Sequence, residues 1–241
     1  MFAVRNVLKK LNSAANCRVK YHIRFLTSKN VLTLYGDEAS PPVRFVMMTA
    51  SLLDIELKFQ KIDLFLGENK SELYTKINPL QKVPALDTGE QVICDSHAIA
   101  LYLCRRSRSQ ELYPEDTMMR ARVEQMLFFN ASLLFPADSI IFTEYFAGKA
   151  MDCNKVDHWN KVLDYLEGQL KRHPWLVGNK MMLCDLCCGT TVSSLQLLLP
   201  FTDRHVKVSQ WLKSLQQLPC FEINSRGLKH LASFIEKEKN G

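Results

Sequence analysis

Apolar residues in this chain follow two alternating periods up to about residue 105 and a single period from residue 117 onward. That switch fixes an α/β half followed by an all-helical half, because strand and helix patterns cannot exchange without exposing the apolar face. Val31 to Tyr35 reads as a short buried strand, and Gly36-Asp37-Glu38-Ala39 as the loop after it. Ser40 is a helix N-cap, Pro41 and Pro42 fit a first turn that needs no backbone N–H, and Val43, Val46, Met47 and Ala50 keep helical spacing. Glu56 to Leu64 alternates as a second strand returning parallel to the first, which completes a βαβ unit. Lys82 to Leu86, the turn Asp87-Thr88-Gly89-Glu90 and Gln91 to Cys94 form a hairpin, and Asp95-Ser96 caps a helix from His97 to Arg105. A charged break from Arg105 to Glu115 follows.

Beyond the break, Thr117 to Phe146, Lys155 to Lys171, Leu183 to Leu199, Val206 to Leu215 and Gly227 to Lys237 are predicted helices. Pro136 is expected to kink or break the first of them near Phe135. The predicted divisions are a basic extension over 1–30, a sheet domain over 31–106, a linker over 107–116 and a helical domain over 117–241.

With 47% hydrophobic residues, 241 residues can bury a substantial core. No stretch approaches the ~18 consecutive apolar residues that cross a bilayer, so no membrane span is expected. Seven basic residues precede the first acid, Asp37, and the net charge is +6, which leaves the rest of the chain at −1. A nearly neutral body lacks the clustered cations that phosphate backbones require, so nucleic acid is set aside. The basic extension fits a mitochondrial transit peptide, a disordered tail or a mis-chosen start codon, so the expected location is cytoplasmic with mitochondria as the alternative. The eight cysteines lie mostly inside apolar periodic segments, where reduced thiols act as small hydrophobes. Cys184-x-x-Cys187-Cys188 has no partner pair at zinc spacing, and no metal is expected.

Three ordered segments carry a resemblance. Ser40-Pro41-Pro42-Val43-Arg44, Asn78 to Leu86 with Pro84, and Asp95-Ser96-His97-Ala98-Ile99 are similar to motifs of the cytosolic glutathione transferases. Their form, together with Leu127 to Asp138, most resembles the insect delta/epsilon classes, and within these the Noppera-bo group. The resemblance implies a thioredoxin-like N-terminal domain with a mixed four-stranded sheet, a helical-bundle C-terminal domain, glutathione as co-substrate, and a homodimer joining one subunit's sheet domain to the other's bundle. It also implies a place in ecdysteroid biosynthesis and a small hydrophobic substrate such as a steroid.

Only a thiolate is a competent nucleophile, and a thiol near the free-cysteine pKa of ~8.5 is mostly protonated at neutral pH. Ser40 sits where a hydroxyl at a helix N-terminus can donate to that sulfur, although a plain cap would read the same way. No cysteine lies between Val31 and Leu53, which excludes thiol–disulfide exchange at that turn. The resemblance implies that Val83, before a Pro84 held cis, offers its backbone to the extended peptide and that Asp95, Ser96 and His97 at a helix start hold its glutamyl end, although an edge-strand proline and a simple helix cap would read the same way. The resemblance assigns the glycyl end to Asn69 and Gln81, where the delta/epsilon pattern often has histidine. The neutral amides weaken affinity rather than change the reaction type.

Pro41, Leu64, Phe65, Phe135, Ser139, Phe142 and Thr143 are expected to line the apolar pocket, with Asp138 accepting a hydrogen bond from a steroid hydroxyl. Phe128 and Phe129 are read as core, and Asp138 as a solvent-facing or salt-bridged residue reads equally well. Met182 stands where Leu183 to Asp185 would ordinarily be preceded by a Ser or Thr cap, so that helix start is expected to be weaker by about 1 kcal/mol. The competing function is a non-catalytic carrier of sterols that holds glutathione as a filler.

Overall fold

The computed structural model describes residues 31–108 and 110–240, so the expectations for residues 1–30, the mitochondrial alternative among them, lie outside the described residues. Strands β1 (Leu32–Gly36), β2 (Leu57–Lys61), β3 (Ala85–Asp87) and β4 (Val92–Ile93) form one sheet in the order β2-β1-β3-β4. β1 and β2 are parallel, while β3 runs antiparallel to β1 and β4 antiparallel to β3. This is the thioredoxin-like mixed sheet. Helix α1 (Pro41–Leu52) crosses between β1 and β2 and buries Val43, Val46 and Ala50 against Leu32, Leu34 and Leu86. Gly36 permits the crossing, since a Cβ there would meet the Val43 methyls at 2.7 and 2.8 Å.

β2 is shorter than its alternating pattern. Ile62 N–H still bonds Gly36 O at 2.8 Å, but Asp63 Oδ1 then collects the amides of Phe65 and Leu66 at 3.0 Å each and turns the chain. A 3₁₀ turn (Glu68–Lys70) and helix α2 (Glu72–Ile77) follow, neither of which was foreseen. α2 buries only Tyr74, so it lacks an apolar stripe to read. Helix α3 (Ser96–Ser107) closes the sheet half with Ile99 and Leu103 in the same core.

The remaining elements are helical: α4 (Thr117–Phe129), α5 (Phe135–Phe146), α6 (Cys153–Leu170), α7 (Leu183–Leu195), α8 (Val206–Gln216) and α9 (Phe221–Asn240). The break expected at Pro136 is instead a π turn over Asn130–Leu134 that carries α4 into α5, with Pro136 in the first turn of α5 where its missing N–H costs nothing. The run 117–146 is long and apolar enough to cross a bilayer by length and composition. It nevertheless packs Val123, Met126, Leu127 and Ile141 into the bundle core with Trp159, Leu166, Leu186 and Trp211.

Every residue of α7 is buried, which makes it the central helix. Met182 provides no side-chain cap, and Asp185 takes over the helix start. Its carboxylate accepts from Met182 N–H at 2.9 Å, Leu176 N–H at 3.0 Å and Trp211 Nε1–H at 2.8 Å. One buried group thus joins the α6–α7 connection, α7 and α8. Asp185→Ala is expected to cost about 3 kcal/mol in urea unfolding, because three donors lose their acceptor in a site closed to water. A loss below about 1 kcal/mol, the value of a simple exposed cap, would contradict that role.

Candidate functional site

The loop between β1 and α1 is fixed by its own carboxylate. Buried Asp37 accepts Ala39 N–H through Oδ1 at 2.9 Å and Leu64 N–H through Oδ2 at 3.1 Å, and its carbonyl accepts Ser40 N–H at 3.0 Å. Ser40, 8% exposed, has extended backbone at the N-cap of α1, but its side chain makes no cap bond and no hydrogen bond to any described residue. A plain cap would have spent that hydroxyl on an amide of the first turn. Pro41 and Pro42 also remove the N–H groups of the first two helical positions, leaving the hydroxyl as the directed donor there.

A second face comes from the segment before β3. Val83–Pro84 is a cis peptide bond, and the backbone N–H and C=O of Val83 pair with no described residue. Asn78 and Tyr74 hold the segment in place. Asn78 Nδ2 donates to Lys82 O at 2.6 Å, Asn78 Oδ1 accepts Leu80 N–H at 3.0 Å, and Tyr74 OH donates to Lys82 O at 2.7 Å. Asn69 and Gln81 belong to this same local structure. Asn69 Nδ2 donates to Gln81 O at 2.8 Å, Gln81 Nε2 donates to Thr75 Oγ1 at 3.2 Å, and Gln81 adopts a left-handed φ of 54°. Each amide therefore commits a donor to shaping the loop, a pairing that residue type alone does not signal.

The third face is the start of α3. Asp95 Oδ1 accepts His97 N–H and Ala98 N–H at 2.9 Å each, and Ser96 is buried as the first helical residue. The His97 imidazole, 3.4 Å away, and these amides hold the Asp95 carboxyl down at about 2 against the opposing effect of burial. It is a standing negative charge across the neutral range. His97 Nε2 meets Asn130 Oδ1 at 3.2 Å, while Asn130 Nδ2 donates to Thr191 Oγ1 at 2.9 Å. The π turn thus places Asn130 where it ties α3 to α7.

The expected apolar pocket is partly assembled and partly filled. Phe65 and Phe142 join one cluster with Ala39, Phe146, Leu231 and Ile235, and Phe65 stacks on Phe234. The last three side chains of that contact set, on α9, were not foreseen as site residues. Leu64 is tethered beside Phe65 through Asp37, and Thr143 is exposed with its hydroxyl on Ser139 O at 2.7 Å. Pro41, Phe135 and Ser139 are half-buried and stand outside the cluster. Asp138 is not solvent-facing and has no salt-bridge partner among the described residues: it is 2% exposed and its Oδ1 has no hydrogen bond. Burial pushes its pKa well up, while the charge of Arg44 opposes that rise. Phe129 is core as expected, whereas Phe128 is 63% exposed and lines an apolar groove with Leu133, Val162 and Tyr165.

The chain is similar to known proteins in sequence and in fold. Residues 34–111 match the sequence model of the glutathione S-transferase N-terminal domain, and residues 126–219 match that of the C-terminal domain. Glutathione S-transferase 1 of Manduca sexta is 34% identical over 201 residues, which cover 80% of this chain and 91% of that protein. The structure of an epsilon-class glutathione S-transferase from the housefly, Musca domestica, superposes with a TM-score of 0.81 at 33% identity, covering 86% of this chain and 98% of that one. A glutathione transferase homolog from Drosophila mojavensis, solved with bound glutathione, gives a TM-score of 0.82 at 31% identity over 86% of this chain and 97% of that one. Both halves match in order along a single chain, and the protein belongs to the glutathione S-transferase family of enzymes, with glutathione as its co-substrate.

Proposed function

We propose that Ser40 donates its hydroxyl to the sulfur of bound glutathione, stabilises the thiolate and presents it to a hydrophobic electrophile. The observation that carries this reading is the uncommitted hydroxyl of Ser40 at a helix start whose first two N–H groups are absent. Lowering the thiol pKa from ~8.5 by about two units requires roughly 2.7 kcal/mol, within reach of one charge-assisted hydrogen bond and a helix dipole. Val83 pairs with the cysteinyl backbone, and Asp95 with Ser96 holds the glutamyl ammonium and carboxylate. Asn69 and Gln81 contact the glycyl end with whatever capacity their loop bonds leave. Kinetics with a generic electrophile separate these roles. Ser40→Ala is expected to lower kcat about 100-fold with little change in KM for glutathione, and Asp95→Ala to raise that KM at least about tenfold. A Ser40→Ala enzyme with wild-type kcat would end the proposal.

We further propose that the apolar ligand is a steroid whose hydroxyl is held by Asp138, in keeping with the likeness to the Noppera-bo group. Asp138 and Phe142 are four residues apart on α5 and so share a face, and Phe142 belongs to the cluster around Phe65. A buried carboxyl with an unpartnered oxygen gains most from such a ligand. Asp138→Ala is expected to weaken steroid binding by about 10- to 100-fold while conjugation of a generic electrophile persists. Unchanged steroid affinity would remove this assignment.

The commitment of the Asn69 and Gln81 donors to their own loop favours one second reading, a carrier that holds glutathione without turning it over. Measurable turnover with the generic electrophile excludes it. We also propose a homodimer that covers the groove around Phe128 and Leu133. Light scattering should give twice the 27.7 kDa chain mass, and Phe128→Glu should give the monomer; a wild-type monomer at micromolar concentration would overturn the proposal.

A further inference from the structure

The loop that carries Ser40 is held from outside its own domain. Helix α9, some 180 residues further along the chain, meets this loop at three positions and the adjoining Arg44 of α1 at a fourth. Asn224 Oδ1 accepts Arg44 Nε–H at 2.8 Å. Arg226 makes a two-pronged pair with Glu38, Nε to Oε2 and Nη2 to Oε1 at 2.8 Å each. Gly227 faces the Glu38 carbonyl and the Arg44 stem so closely that a Cβ would lie 2.3 Å from each. His230 Nε2 stands 3.3 Å from Asp37 Oδ1.

The contact at Gly227 is the least replaceable. Glycine inside a helix is unfavourable relative to alanine, and this one sits in the second turn of a twenty-residue helix. What it permits is contact with backbone, which cannot swing aside as a flexible side chain would. The Glu38 carbonyl also accepts Arg44 Nη1–H at 2.8 Å, and Ala39 O accepts from the same nitrogen at 2.6 Å. The carbonyls of the two residues before Ser40 are therefore held by the Arg44 guanidinium, and that of Glu38 also abuts α9 at Gly227.

We propose that α9 is a positioning element for the reaction: through Gly227 and the Arg226–Glu38 pair it sets the orientation of the Ser40 hydroxyl towards the glutathione sulfur. This rests on the Ser40 reading given above. α9 acts through the loop and touches no reacting atom, so Gly227, Arg226 and Asn224 are positioning residues. Titratable and charged groups around the loop are Asp37 and Glu38 on it, Lys61 on β2, Arg44 on α1, Asp138 on α5, and Arg226 and His230 on α9.

The test is the ultraviolet titration of the bound glutathione thiol in full-length wild type, Ser40→Ala, Gly227→Ala and Arg226→Gln, with thermal unfolding of each. Gly227→Ala is expected to raise the titration midpoint by about one pH unit, a tenfold loss in the thiolate equilibrium, and Arg226→Gln by about half a unit. Glutathione affinity should change by less than about threefold, because Val83, Asp95 and Ser96 are untouched. The paired reversal, Glu38→Arg with Arg226→Glu, should restore the midpoint to within about 0.2 unit of wild type, a rescue that a merely structural role would not give. Should Gly227→Ala fail to fold, Arg226→Gln and the paired reversal decide. If Ser40→Ala moves the midpoint and the α9 variants do not, this inference alone falls; if Ser40→Ala leaves it unmoved, the Ser40 reading falls and this one with it.

Discussion

Arg44 is a fully buried cation with no carboxylate within salt-bridge distance among the described residues, and much of the molecule is arranged around satisfying it. Isolating such a charge from water is costly unless its N–H groups find acceptors. Four are supplied: the carbonyls of Glu38 and Ala39, Asn224 Oδ1 and Ser194 Oγ. These come from the Ser40 loop, from α9 and from the central helix α7. Burial draws the Arg44 pKa down to about 9, with Asp138, Asp37 and Glu38 acting against that shift, so the side chain stays charged at neutral pH. Its partners are reinforced in turn, since Asn224 Nδ2 donates to Ser193 Oγ at 3.0 Å and Ser194 Oγ to Thr190 O at 2.6 Å.

This arrangement explains how a site on a sheet domain comes to depend on a helical bundle. Sequence-local chemistry places Ser40 at the end of a strand-to-helix turn but does not decide where its hydroxyl points. The adjoining carbonyls at 38 and 39 accept from a guanidinium anchored on α7 and α9, and that contact is the basis of the positioning role proposed for α9. Asn130 couples the halves a second time, linking His97 at the start of α3 to Thr191. The apolar side follows the same logic, with Phe234 of α9 stacked on Phe65 of the sheet half.

What the sequence made legible was whatever rests on neighbouring residues. Ser40-Pro41-Pro42 announces a helix start because proline tolerates only its first turn, and Asp95 announces another because its carboxylate accepts the next two free amides. The parallel pair β1–β2 and the hairpin β3–β4 followed from the same kind of signal, whereas the β1–β3 pairing that joins them was implied only by the resemblance. Long-range pairings were not legible. Nothing near Gly227 tells that its missing side chain accommodates a carbonyl from residue 38, and nothing in Glu222 to Arg226 tells that α9 begins at Phe221. The break expected at Pro136 is a π turn over Asn130–Leu134, which brings Asn130 against His97 and Thr191. Asn69 and Gln81 were assigned as ligand contacts by the resemblance, while their donors shape a loop that only three dimensions reveal.

Activation of glutathione by a hydroxyl leaves one direct signature, the ionisation of the bound thiol in the unmodified enzyme. Following thiolate absorbance against pH at saturating protein should give a midpoint near 6.5, about two units below the ~8.5 of a free cysteine-like thiol. A bound thiol that titrates at its free value would contradict the account, because the clamped loop would then be holding a serine that does nothing for the sulfur.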